Sequence, residues 1–413
     1  MLILDFQSIK VMSKEVFIVD GVRTAVGSFG GSLAPVRTDD LGAIVMKALI
    51  EKHPSLDPML IEDVIFGCAN QAGEDNRNVA RMSSLLAGLP WQLGGETVNR
   101  LCASGMASTI NAARAIKDGC GDIYISGGVE NMTRGPWVMS KASSAYGRDS
   151  EMYDSSFGWR FINPKMQELY GTDGMGNTAE NLAEMYSISR EDQDQFSLWS
   201  QQKASKAQAN GILGEEIVDV LIPQRKKDPI VFNTDEFIRS GTTLDGLESL
   251  RPAFKKDGTV TAGNASGLND GAAALLIASE KAIVENNLKP LTRIVGGAIA
   301  GVEPRIMGIG PVYASEKILK RSGLTLDQMD ILELNEAFAA QVLACTRKMG
   351  VADNDPRINP NGGAIAIGHP LGMTGARILL AASKELQRSN KKYALVSMCI
   401  GVGQGYATIL ERV

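Results

Sequence analysis

Histidine is almost missing from this chain: its 413 residues include two, His53 and His369. Cysteine is sparse as well. Cys68, Cys102, Cys120, Cys345 and Cys399 form an odd set, with neither the paired spacing of a zinc site nor the density of a disulfide framework. No metal centre and no cross-linked secreted scaffold are expected. The setting this implies is reducing and cytoplasmic, with any special cysteine present for its reactivity. Positive charge is not in excess either. Lys and Arg number 42 against 47 Asp and Glu, a formal charge of −5, which argues against a nucleic-acid partner. No apolar run is long enough to span a bilayer. Residues 1–11 lean apolar but include Asp5 and lack a basic leader, an h-region and a small-residue cleavage site, so no signal peptide is expected. Met12 offers an alternative start, which would make residues 1–11 a dispensable extension.

Glycine is abundant, at 44 residues, in a chain that is 44% hydrophobic and 22% charged. This is the composition of a globular protein, long enough for two or three domains. Apolar runs at 16–19, 64–67, 123–126, 272–278, 294–300, 331–334 and 395–398 read as buried strands. Leu41, Ile44, Val45, Ala48 and Leu49 have helical spacing. Val79 to Leu86 reads as a helix stopped by Gly88 and Pro90, and Ala103 to Ile116 as a closely packed one. From Arg134 to Val260 the chain is more polar. That stretch shows one long helix, starting near Ser189 with Asp192 at capping distance and stopping at Gly211. Its Arg225-Lys226-Lys227 cluster is a solvated face or a seat for phosphates.

The end of the chain repeats its beginning. In each half a helix is followed by a leucine, an acidic residue, a strand and an asparagine: Leu56, Asp63, Asn70, then Leu324, Asp330, Asn335. Cys102-Ala103-Ser104-Gly105-Met106 opens a helix as His369-Pro370-Leu371-Gly372-Met373 does. Two copies of an alternating α/β unit, packed as layered sheets around shared central helices, would bring Cys102 opposite His369. At the start of its helix Cys102 meets the positive dipole end, which favours a thiolate and so a nucleophile. A Cys–His pair is a known way to activate a thiol. Cys399 ends the last apolar strand before a glycine-rich turn whose N–H groups can form an oxyanion hole. Asn335 ends another strand, where its amide could hold a water or a carbonyl oxygen. The loop Thr261–Gly271, rich in Gly, Asn and Ser, has the make-up of backbone that lines a ligand.

The blocks Asn99-Arg100-Leu101-Cys102-Ala103-Ser104-Gly105, Asn335-Glu336-Ala337-Phe338-Ala339, Gly368-His369-Pro370 and Cys399-Ile400-Gly401 together resemble the thiolase family over nearly the whole chain, Glu15 to Val413. The resemblance implies a layered αβαβα fold. Its two pseudo-repeated halves would be residues 12–133 with 261–290 and residues 291–413, with an inserted loop domain at 134–260. It implies that Cys102 carries the acyl group as a thioester and that His369 activates it. His369 and a water held by Asn335 would bind the enolate oxygen, and Cys399 would shuttle the proton. The N–H groups of Cys102 and Gly401 would hold the tetrahedral oxyanion. Ser266, Met307 and Phe338 would contact the pantetheine arm and Arg239 the CoA phosphates. Coenzyme A would be a co-substrate, no cofactor or metal would be resident, and the assembly would be a homodimer or homotetramer.

Gly174-Met175-Gly176 stands where many acetoacetyl-CoA thiolases carry a histidine. The stretches 68–82 and 157–164 look like thiolases of aromatic degradation, which cleave 3-oxoadipyl-CoA to succinyl-CoA and acetyl-CoA. Alternatives are an acetoacetyl-CoA thiolase or a general fatty-acid 3-ketoacyl-CoA thiolase. A synthase-type condensing enzyme and a non-catalytic CoA-binding protein fit less well, given the second cysteine and the four intact blocks. Arg160 is the first candidate for the substrate's terminal carboxylate, with Arg77 and Arg134 behind it. The alternative for Arg160 is a structural salt bridge.

Overall fold

The computed structural model describes residues 14–413, so the proposed extension 1–11 lies outside the described residues. The first half contains β1 (Val16–Thr24), α1 (Thr38–Glu51), β2 (Asp63–Gly67), α2 (Val79–Leu86), β3 (Glu96–Val98), α3 (Ser104–Asp118) and β4 (Ile123–Asn131). The polar stretch supplies α4 (Met175–Met185) and α5 (Arg190–Ala209). Then follow β5 (Asn269–Ser279), β6 (Thr292–Gly301), α6 (Gly310–Ser322), β7 (Ile331–Leu334), α7 (Ala339–Lys348), α8 (Leu371–Ser389), β8 (Tyr393–Ile400) and β9 (Gln404–Arg412).

Both halves are built to one plan. In the first, β5 runs antiparallel to β1 and β4, and β4 runs parallel to β2. In the second, β9 runs antiparallel to β6 and β8, and β8 runs parallel to β7. The halves meet where β1 pairs with β6 through Phe17–Arg293 and Ile18–Thr292. Strands buried on both faces need no polar alternation, which is why they read as continuous apolar runs. In β5, Ala272, Ala274 and Leu276 face outward to Leu41, Val45 and Leu49 of α1, whereas Ala273, Leu275 and Ile277 face inward to Met106 and Ile110 of α3. In the second half the outer core joins Leu332, Leu395 and Ile409 to Val312 and Ile318 of α6. The inner core takes Ile378 and Leu379 of α8 together with α3. The layers are therefore helices, sheet, the shared pair α3 and α8, sheet, helices.

Glycine sets the separation of that central pair. A Cβ on Gly105 would lie 2.6 Å from the Gly372 carbonyl oxygen, and one on Gly375 would lie 2.2 Å from the Met106 nitrogen. The two helices approach backbone to backbone at their first turns, which only a residue without a side chain permits.

The polar stretch differs from the single long helix expected. The Ser189–Asp192 capping box is present and α5 ends before Gly211. However, α4 and two short helices, Pro164–Tyr170 and Leu244–Glu248, accompany it. Part of the stretch also joins the first half. Ile217–Val218 pairs with Arg23 and Thr24, and Val220, Ile222 and Phe232 enter the outer core. Arg225, Lys226 and Lys227 are exposed at a hairpin tip. Among the described residues no helix is long and apolar enough to cross a membrane.

Gly375→Ala should lower unfolding stability by about 1–3 kcal/mol or more, because the backbone of α3 must retreat. Gly214→Ala should be close to neutral, since nothing lies within 4 Å of that Cβ and its φ is ordinary. Urea midpoints compare the two, and equal midpoints would contradict the close crossing.

Candidate active site

The nucleophile candidate sits in a tight turn. Leu101 has φ +47°, a region costly for a branched residue and found mostly where surrounding contacts enforce it. Here the Leu101 N–H donates to Asn99 Oδ1 at 2.9 Å, and Ser104 Oγ donates to the Leu101 carbonyl at 2.7 Å while accepting from the Arg100 N–H at 2.8 Å. The turn presents Cys102 just before α3. Cys102 stands three residues before Gly105, and His369 stands three before Gly372. The glycine contact between α3 and α8 thus brings both side chains to the same edge of the central layer.

His369 is buried and its orientation is fixed. Its N–H donates to Asn269 Oδ1 at 2.9 Å. Its Nδ1 lies 2.7 Å from Thr374 Oγ1, whose hydroxyl donates to the Pro370 carbonyl at 2.7 Å. When the Thr374 hydroxyl donates to Pro370, Nδ1 carries the ring proton and Nε2 the lone pair. Asn335 Nδ2 is 3.5 Å from Nε2, and Asn335 Oδ1 is buried without a partner. A buried polar atom left open beside a histidine suits a bound water or a substrate oxygen.

Cys399 packs with Met307, Phe338 and Ala265 in one small apolar cluster edged by Met175. The glycine-rich loop is pinned to the Asn335 block: Ala265 bridges Phe338, the Ser266 N–H donates to the Ala337 carbonyl, and the Ala339 N–H donates to the Asn264 carbonyl. Next to this loop lies a cavity of about 300 Å³ lined by Arg239, Phe237, Ala262, Gly263 and Leu247, among others. The Arg239 guanidinium lies 5.6 Å from the Phe237 ring centre. The structure therefore gathers Cys399, Met307 and Phe338, sets Ser266 beside them, and places Arg239 on the adjoining cavity. Arg160 stands apart. It is half-buried, donates to the Ser155 carbonyl at 3.4 Å, and has no carboxylate partner among the described residues. Arg134 is already paired with Glu74, and Arg77 is exposed.

One electrostatic expectation is corrected. The helix-end argument predicted a Cys102 thiolate, yet burial pushes the thiol up to about 11 even though the N–H groups of Gly401 and Cys102 act in the opposite sense. His369 moves the other way, down to about 3, through burial and then the Arg377 charge. Cys399 is raised well above the usual thiol value by burial and by its neighbour Cys102. The resting pair is a neutral thiol and a neutral imidazole with a free lone pair. Two N–H groups converge on the Cys102 sulfur, and together the groups can accept a proton, stabilise an oxyanion and form a thioester. Thr374 has no role in the sequence reading, and Met175 enters it only as part of Gly174-Met175-Gly176. A threonine in the first turn after a Gly-His-Pro is a local signal that could have drawn notice to Thr374.

With its thiol titrating at about 11, Cys102 alkylation by iodoacetamide should climb about tenfold per unit between about pH 7 and 9; a plateau at neutrality would contradict the neutral pair. Thr374→Val should cut turnover by about 10-fold or more, because Nδ1–H loses its partner and the ring its fixed tautomer. Thr374→Ser should restore most of it in steady-state assays.

The chain matches the family models for the thiolase N-terminal domain, over residues 16–281, and the thiolase C-terminal domain, over 288–412. It is 58% identical to the beta-ketoadipyl-CoA thiolase of Acinetobacter baylyi, across 97% of this chain and 100% of that one. It is 58% identical, with the same coverage, to the Escherichia coli 3-oxoadipyl-CoA/3-oxo-5,6-dehydrosuberyl-CoA thiolase. The crystal structure of human mitochondrial 3-ketoacyl-CoA thiolase superposes with a TM-score of 0.90 at 40% identity, covering 97% of this chain and 99% of that one. The two-half α/β architecture, the paired helix starts and these full-length similarities lead to one conclusion: the chain belongs to the thiolase family and is an acyltransferase.

Proposed function

We propose that this thiolase cleaves 3-oxoadipyl-CoA with CoA to give succinyl-CoA and acetyl-CoA. The observation that carries the reading is 58% identity, over 97% of the chain, to relatives named for that substrate. Arg160, half-buried and without an ion-pair partner among the described residues, supports it as a counter-charge for the substrate's terminal carboxylate. The Ser155 carbonyl it contacts also accepts from Asn70 Nδ2, and Asn70 adjoins Ala69, whose carbonyl holds Asn99 of the Cys102 turn.

The geometry supports the following reaction. His369 Nε2 takes the Cys102 proton as sulfur attacks the 3-keto carbon, and the N–H groups of Cys102 and Gly401 receive the oxyanion. Collapse breaks the bond to the α-carbon. The leaving enolate oxygen rests against His369 and a water on Asn335, and Cys399 gives its proton to the carbon. The Cys399 thiolate then deprotonates CoA, whose sulfur takes the acyl group from Cys102. The departing Cys102 thiolate recovers its proton from His369. Arg239 with Phe237 would seat the CoA nucleotide, and Ser266, Met307 and Phe338 its pantetheine arm. Coenzyme A acts as co-substrate, with no resident cofactor or metal, in the cytoplasm.

The same reading divides the chain into residues 12–133 with 261–290, an insert at 134–260, and 291–413. It makes the protein a homodimer or homotetramer. Trp137, Met139 and Met152 support assembly, lying exposed on the small hairpin of Trp137–Met139 and Met152–Asp154.

Cys102→Ser should show no acyl adduct by mass spectrometry after incubation with substrate. Arg160→Ala should lower kcat/KM for 3-oxoadipyl-CoA by about 100-fold or more while affecting acetoacetyl-CoA far less. Equal losses would make Arg160 structural, and a wild-type preference for acetoacetyl-CoA would overturn the substrate while leaving the mechanism.

A further inference from the structure

Glu130 is a buried carboxylate for which the reaction above has no use. It lies near the end of β4 and is 2% exposed. Its Oε2 accepts from the N–H groups of Ala69 at 2.9 Å and Gly372 at 2.8 Å, and its Oε1 accepts from the Asn70 N–H at 2.9 Å. Gly372 belongs to the first turn of α8, three residues after His369. Ala69 leads the other way: its carbonyl accepts from Asn99 Nδ2 at 3.1 Å, and Asn99 Oδ1 fixes the N–H of Leu101, the neighbour of Cys102. A short run of charge-assisted and neutral hydrogen bonds thus joins the histidine's helix to the nucleophile's turn, with one carboxylate at its centre.

We propose that Glu130 is a positioning residue that holds the His369 helix in register with the Cys102 turn. The glycine contact between α3 and α8 sets how close the two helices come, but a glycine surface has no feature that stops sliding. The carboxylate supplies directional bonds to both sides at once. It also lies where the positive end of α8 favours an anion. Burial nevertheless raises its pKa to about 7 against the pull of its three N–H donors, and Asp75 nearby adds to the rise. Cys68 Sγ, 3.8 Å from Oε1, is the adjacent thiol. The Glu130 charge also acts on Cys102, pushing that thiol upward.

The test rests on Cys102 as nucleophile and uses whichever 3-oxoacyl-CoA the wild-type enzyme turns over best, so that it does not depend on the substrate assignment. Glu130→Gln keeps the shape but removes the charge, and its NH2 group leaves at least one of the three N–H donors facing another donor. It should lower kcat by about 100-fold with KM changed less than about threefold, as expected when reacting groups are displaced without loss of substrate contacts. With the anion gone, the midpoint for Cys102 alkylation should move to lower pH, while the kcat loss without a KM change is what separates positioning from a merely structural role. Glu130→Asp keeps the charge but retracts it, so kcat should still fall by about 10-fold while the alkylation midpoint stays near wild type. The proposal is overturned if Glu130→Gln keeps kcat within about threefold of wild type, or if its loss lies in KM as much as in kcat. Should the Gln variant fail to fold, wild-type kcat in Glu130→Asp overturns it equally.

Discussion

The active site depends on a contact between two stretches of bare backbone. Gly105 on α3 and Gly375 on α8 let the helices meet at their first turns, against the backbone of Gly372 and Met106, and no side chain could stand between them without parting the halves. Gly128 beneath α8 and Gly67 beneath α3 let the helices settle on the sheet, since a Cβ on Gly128 would meet the Gly372 carbonyl oxygen and one on Gly67 the Gly105 nitrogen. Close packing makes the contact stiff. Because Cys102 and His369 each precede the crossing by the same interval, a geometry fixed for packing reasons is also the geometry of the chemistry. The layers outside, α1 and α2 on one side and α6 and α7 on the other, bury the outer faces of the two sheets that flank the central pair.

The electrostatics of the site run against the simple picture of a helix end producing a thiolate. Each helix start offers favourable N–H groups, but enclosure acts on every charge there and prevails. A neutral thiol facing a neutral imidazole keeps charge from forming until a ketone is present to take the sulfur. In the proposed reaction the charge that then develops lies on the substrate oxygen, bonded to the carbon that Cys102 attacks and so close to the two N–H groups that converge on that sulfur. Preorganised donors of this kind need little reorganisation during the reaction. Thr374 contributes by settling which imidazole nitrogen bears the proton.

Much of the fold could be read along the chain because its central strands are apolar on both faces and its two halves repeat. The ends of elements were harder. β1 continues to Thr24 through Asp20 and Arg23, which look like a loop. Arg23 is fully buried only because Glu216 and Asp235, 193 and 212 residues away, receive its guanidinium. Nothing local announces such partners. α4 begins at Gly174 without a side-chain cap, so its start carried no mark. Cys102, His369, Cys399 and Asn335 stood out because rare residue types sit at strand ends and helix starts. The protonation of Cys102 did not, because burial is a property of the assembled layers and the dipole argument concerns one helix alone.

The seam between β1 and β6 consists of two residue pairs, and on either side of it stands a topologically complete unit. One unit brings a thiol to its helix start and the other an imidazole, so in the proposed reaction neither would suffice by itself. Joining both in one polypeptide fixes their stoichiometry at one to one and removes any dependence of the catalytic pair on concentration. It also frees the two copies to diverge. Each helix start needs to keep only its own half of a proton-transfer couple, and the connector at 280–291 enforces the pairing that two separate subunits would have had to find by collision.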